Sequence, residues 1–266
     1  MSLNFAAISP HPPIIVPGIG SQEDLQKVSS TVLAMKKLAH IFTEAEIDTL
    51  IIISPHSFIY PDKFSICGMK KTFGTFAQFN QPDVLMEYEN DLDLAIDIDK
   101  AAQKDNIKTL LYDNDGEFFE LDHGLMVPLY YLKQQQESAF KIVPIAYTNL
   151  DKAQHFAFGQ VLKEAAQNYS GRIGILASGD LSHQLLQNPE GKKFDKKIIE
   201  DLKNNNVANI LSYDEVWLEE IGECGYRSIL ILLGALDRIN AKPEILSYEG
   251  PFGVGYGVVN FGLGEQ

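Results

Sequence analysis

Apolar and polar positions along this chain switch repeatedly between two periods. Short apolar runs at residues 3–8, 48–53 ("DTLIII"), 107–112 ("IKTLLY"), 140–147 ("FKIVPIAY") and 171–179 ("GRIGILASG") read as strands. The run at 48–53 is continuous rather than alternating, the pattern of a strand covered on both faces. Between the runs lie stretches of helical period. Residues 22–44 place Leu25, Val28, Leu33, Met35, Leu38 and Ile41 behind Ser21, with Asp24 three positions on as a capping partner. Further helices are predicted over 91–105, from Asp122 onward with Pro128 kinking it or in its first turn, and over 151–168, 191–204, 213–220 and 226–238. "FSICGM" and "FGTFAQF" read as a hairpin pair, and "EILSYEGPFGVGYGVVNFG" as two closing strands around a Gly-Pro turn. No repeat or linker divides the sequence. The pattern predicts one α/β domain over residues 1–266, with a central mostly parallel or mixed sheet flanked by helices.

Ligands of such sheets bind beyond the carboxyl ends of the strands. Two predicted strands end there in the same four letters, in "AAISPHPP" and "LIIISPHS", which place His11 and His56 behind Ser-Pro corners. Proline holds the preceding serine in extended geometry, so each imidazole leaves the strand in a restricted direction. His183 follows the strand at 171–179, in "SGDLSH", and His123 opens a predicted helix in "ELDHGLMVP". His40 and His155 lie inside amphipathic helices and read as ordinary helix residues.

Imidazole is a metal ligand or proton carrier near neutral pH. Two histidines and one carboxylate with open positions form the ligand set of non-haem Fe(II) oxygen chemistry. Glu117, Glu120, Asp122, Asp180, Glu219, Glu220 and Glu223 are the carboxylate candidates. Asp122 and Asp180 equally suit orienting an imidazole. Glu223 is preferred, because "IGECGYRSILILLGAL" runs from a glycine-flanked bend into an apolar helix, whose positive end favours an acid. Cys224 beside it is an alternative ligand suited to softer metals or zinc. Cys67, inside a predicted strand, reads as packing.

Composition narrows the choice of partners. The 266 residues carry 22 basic and 36 acidic side chains, a net charge of −14, which repels nucleic acid. No apolar run reaches the ~20 residues of a membrane span, no secretory signal is visible, and two cysteines make no disulfide framework. A cytoplasmic protein is expected. Gly253, Gly255 and Gly257 precede a strand rather than a helix, which rules out a dinucleotide fingerprint. A G-x-S-x-G nucleophile elbow is missing as well.

Taken in order, "ISPHPP", "IISPHS", "DHG", "SGDLSH" and the closing "SYEGPFGVGYGVVNFG" resemble the class III extradiol ring-cleaving dioxygenases, the LigB superfamily. They also resemble its Memo-like, AMMECR1-associated branch. The resemblance implies a LigB/Memo-like fold and an Fe(II) site with His11, His56 and Glu223 as ligands. It further implies His183 as acid–base residue, His123 as a second pocket histidine, and a small aromatic diol and O2 as substrates. The Memo-like branch carries a cysteine in a "CG" context, which Cys224 and Gly225 match. That branch implies a non-catalytic metal-binding, redox or signalling protein. A zinc or two-metal hydrolase using the same histidines with Asp180 or Asp122 is a further alternative. A homo-oligomer or a small partner subunit is also implied.

Overall fold

The structure is a computed structural model and describes residues 2–114, 116–135 and 139–264. An eight-stranded mixed sheet organises them. Its strands are β1 (Leu3–Ser9), β2 (Thr49–Ser54), β3 (Phe64–Cys67), β6 (Thr109–Tyr112), β8 (Lys141–Ala146), β9 (Ile173–Ser178), β10 (Ala241–Glu249) and β11 (Tyr256–Leu263), in the order β10-β11-β1-β9-β2-β8-β3-β6. The centre, β1-β9-β2-β8, is parallel, and antiparallel pairs at β11 and β3 make the sheet mixed. A small second sheet joins β5 (Gln81–Glu89), β4 (Lys71–Phe76) and β7 (Phe119–Glu120).

Both faces of the large sheet are covered, as the unbroken apolar run of β2 requires. Successive residues of that strand enter opposite cores. Ile51 and Ile53 join the cluster beneath α3 (Leu92–Lys104), α5 (Lys152–Asn168), α6 (Pro189–Lys203) and α9 (Tyr226–Ala235). Leu50 and Ile52 join the cluster beneath α2 (Ser29–Glu44) and α4 (His123–Gln135). Helices α5 and α9 approach at paired glycines: a Cβ on Gly234 would lie 2.0 Å from the Phe156 carbonyl oxygen. Among the described residues no helix is long and apolar enough to cross a membrane.

Several expectations need correcting. The helix expected over 22–44 is two, α1 (Gln22–Lys27) and α2, broken at Val28; the Ser21–Asp24 capping box is present. "FSICGM" and "FGTFAQF" do not pair. The first supplies β3, which joins the large sheet, and the second overlaps β4, whose antiparallel partner is the polar strand β5. Strand β5 hid from the pattern because its apolar face is short: only Val84, Met86 and Tyr88 turn inward, behind the polar start at residues 81–83 and with the apolar Leu85 exposed on the other side. Two short helices, α7 (Val207–Leu211) and α8 (Glu215–Ile221), follow α6 where one was expected. Pro128 lies inside α4 as its sixth residue, beyond the first turn.

Candidate metal centre

Three adjacent parallel strands stop at one level, and each stops with serine. Ser9 of β1 faces Ser178 of β9. Ile53 of β2 faces Ala177, which brings Ser54 to the same row. Two residues beyond these serines stand His11, His56 and Asp180. The common register therefore carries both Ser-Pro-His corners to one end of the sheet. There the N-terminus of α4 adds His123.

The three imidazoles meet. His11 Nε2 lies 3.0 Å from His56 Nε2. One ring nitrogen from each of His11, His56 and His123 lies within 4.8 Å of the others. His56 and His123 stack with centroids 4.3 Å apart, and His11 stands edge-on to both. His11 is buried, His123 half-buried, and His56 opens toward solvent. Loss of water and the neighbouring imidazoles hold the pKa of His11 well below the usual value. His56 loses water on its packed side, and with His123 beside it its pKa falls to about 4. Burial lowers His123 as well. All three are therefore neutral at pH 7, with lone pairs available to a metal.

The surrounding groups fix these rings. The backbone N–H of His11 donates to Asp180 Oδ1 at 3.0 Å, and His11 Nδ1 lies 3.0 Å from Ser178 Oγ. Ser178 donates to the Gly124 carbonyl at 2.5 Å, next to His123. Ser54 donates to Asp122 Oδ1 at 2.7 Å and accepts the N–H of His56 at 3.1 Å. Asp122 Oδ2 is buried with no hydrogen-bond partner among the described residues.

The structure separates the two late candidates. Cys224 Sγ lies 3.6 Å from His11 Nε2 and accepts the N–H of Asp180 at 3.2 Å. The Glu223 carboxylate instead accepts the Tyr226 N–H at 2.5 Å, closing the first turn of α9. Its pKa is raised to about 7, chiefly by burial. Close backbone contact places the thiol: a Cβ on Gly179 would lie 2.1 Å from Gly225 Cα, so only glycine lets the two loops touch. Burial raises the pKa of Cys224, so without a metal it is a thiol. His183 stands at the exposed rim, near enough to lower the pKa of both His11 and His56. His40 is exposed on α2, and His155 is buried with its ring nitrogens against the carbonyls of Asp151 and Thr148; neither joins the centre. Cys67 is buried in β3.

Sequence reasoning placed His123 as a pocket residue; the structure puts it at ligand distance from His11 and His56. It overlooked Ser178, whose signal was a serine closing a third strand in "ASGD" after the two in "ISPH".

The fold is that of the LigB family of ring-opening dioxygenase subunits. Residues 5–259 match the family model described as the catalytic LigB subunit of aromatic ring-opening dioxygenase, and the chain belongs to that family. It is 37% identical over 270 residues to a Clostridium acetobutylicum protein, covering 97% of this chain and 57% of that one, so it spans little more than half of that relative. A MEMO1 family protein of Methanosarcina mazei is 25% identical over 215 residues, covering 80% of this chain and 72% of that one. The fold is shared with an Escherichia coli K12 protein whose crystal structure is titled uncharacterized: TM-score 0.66, 17% identity, covering 97% of this chain and 99% of that one.

Proposed function

We propose that this protein, read as one LigB-like unit, is a Memo-like metal-binding redox protein whose centre is built from His11, His56, His123 and Cys224. The observation that carries this reading is the thiol of Cys224 beside the converging imidazoles, with the Glu223 carboxylate engaged elsewhere. The donors fit a metal. Two nitrogens each about 2.1 Å from a common ion stand roughly 3 Å apart, and His11 and His56 meet that condition. Imidazole and thiolate together suit iron, copper or zinc rather than calcium or magnesium. A redox-active ion in this set supplies an electron couple and open positions for a small molecule. The chain's own contribution is neutral imidazoles, a thiol that releases its proton on coordination, and a rim imidazole, His183, able to exchange a proton with a bound molecule.

The family match across residues 5–259 supports a second reading, an Fe(II)-dependent extradiol dioxygenase acting on a catechol and O2. In that reading His183 removes a catechol proton at its free ring nitrogen, and His123 hydrogen-bonds the substrate beside the ligands. One experiment separates the readings. The protein is loaded anaerobically with Fe(II), then exposed to air with a panel of catechols. Stoichiometric iron with no yellow ring-cleavage product is the expected result. Turnover that His183→Ala abolishes without loss of iron establishes the dioxygenase. A protein that takes up no transition metal refutes both, and hydrolytic activity surviving the removal of oxygen identifies a zinc or two-metal hydrolase.

A further inference from the structure

We propose that Ser178 is a positioning residue that fixes His11 in its Nδ1–H tautomer and so reserves the Nε2 lone pair for a metal. A serine hydroxyl has one proton to donate. In Ser178 that proton is committed, because the partner at 2.5 Å is the Gly124 carbonyl oxygen, which only accepts. Toward His11 Nδ1, 3.0 Å away, the same oxygen must therefore act as acceptor. His11 Nδ1 carries the proton, and Nε2 is left bare.

The placement makes this specific. Ser178 and His11 are both buried, so water does not compete for either ring nitrogen. Nε2 faces His56 Nε2 at 3.0 Å and Cys224 Sγ at 3.6 Å. The opposite tautomer would leave Nδ1 without a proton against an acceptor-only oxygen, and would aim an N–H into the centre. Ser178 also joins the end of β9 to the carbonyl preceding Leu125 at the start of α4, so one hydroxyl links the strand carrying neither histidine to the positions of both His11 and His123. Outer groups of this kind alter metal affinity by roughly 10–100-fold when removed.

The tautomer stands or falls independently of the metal-centre reading; only its consequence for affinity rests on that reading. The test uses the full chain, metal-free and nitrogen-15 labelled, near neutral pH. Long-range proton–nitrogen correlations report the tautomer of each histidine, with His11 assigned by its loss in His11→Gln. The expected wild-type result is Nδ1–H at His11. In Ser178→Ala the ring should drift toward the Nε2–H form that an unconstrained histidine side chain favours, and zinc affinity, measured by chelator competition, should fall roughly 10–100-fold. Ser178→Thr, which keeps the hydroxyl, should restore both. A wild-type His11 found as Nε2–H overturns the inference without any variant, as does a Ser178→Ala protein with unchanged tautomer and affinity. A tautomer shift in a protein that binds no zinc upholds the inference and refutes the metal centre.

Discussion

The thiol and the carboxylate at the late corner make opposite predictions, and two substitutions distinguish them. Cys224→Ser replaces Sγ, 3.6 Å from His11 Nε2, by a hydroxyl oxygen on a shorter bond. The Asp180 N–H, which now donates to sulfur at 3.2 Å, keeps an acceptor, and the half-buried side chain loses little packing. Folding stability should thus change by less than about 1 kcal/mol. Metal affinity should not be spared. Removing an outer group costs roughly 10–100-fold, and removing a direct donor should cost about 100-fold or more, or ~2.8 kcal/mol at 1.4 kcal/mol per decade. Glu223→Gln is the counterpart. Its amide oxygen still accepts the Tyr226 N–H, so metal affinity should stay within about threefold, under ~1 kcal/mol. Cobalt(II) titration reads both variants, because a sulfur-to-cobalt charge-transfer band should be present in wild type and Glu223→Gln and absent in Cys224→Ser. If Glu223→Gln loses the metal while Cys224→Ser keeps it with an unchanged spectrum, the reasoning fails. The two-histidine-one-carboxylate site then returns.

Two further outcomes follow from packing and burial. Gly234→Ala gains about 1 kcal/mol of helix propensity but drives a methyl to 2.0 Å from the Phe156 carbonyl and 3.0 Å from Gly159 Cα; the net loss should be ~2–3 kcal/mol and the melting temperature should fall by roughly 5–10 °C in calorimetry, an unchanged value contradicting the close approach of α5 and α9. Asp195 is fully buried, accepts from the Ser182 N–H and the Tyr248 hydroxyl, and has its pKa raised to about 6 by burial. The folded protein thus keeps a proton that the unfolded chain releases near pH 4. Its contribution to stability is complete below that pH and is lost as pH rises through about 6. Asp195→Asn should accordingly stabilise the protein at pH 8 relative to pH 5, by an amount on the order of 1–3 kcal/mol, and equal denaturation midpoints at the two pH values would contradict the buried carboxylate.

What the sequence made legible, it made legible through periodicity. The run "DTLIII" announced a strand buried on both sides, and β2 divides its isoleucines between two cores. The Ser21–Asp24 box announced a helix start and is present. Strand β5 was hard to read because its alternation is confined to Val84, Met86 and Tyr88, and the exposed apolar Leu85 between them blurs the period. The break at Val28 was illegible because Val28 is itself apolar and buried, so the helical period runs through it unbroken. Choosing between Glu223 and Cys224 was beyond any pattern. Adjacent residues at a helix entrance point in different directions, and what turns the thiol inward is the glycine contact between residues 179 and 225, a tertiary fact.

The histidines present the opposite case, where local sequence and tertiary register agree. A Ser-Pro-His corner has no reason by itself to meet another one 45 residues away. What joins them is β9, a strand with neither corner, inserted between β1 and β2 with its own serine on the shared row. In a parallel sheet a shift of one residue reverses every side chain. A slip of β1 against β9 would turn Ser178 away from His11 and bury the wrong face of β1 in each core at once. Register is therefore pinned by the hydrophobic division of the strands, and the imidazoles inherit that precision without paying separately for their alignment. The centre is thus as rigid as the two cores beneath it, and small changes at the row of serines should affect the metal before they affect the fold.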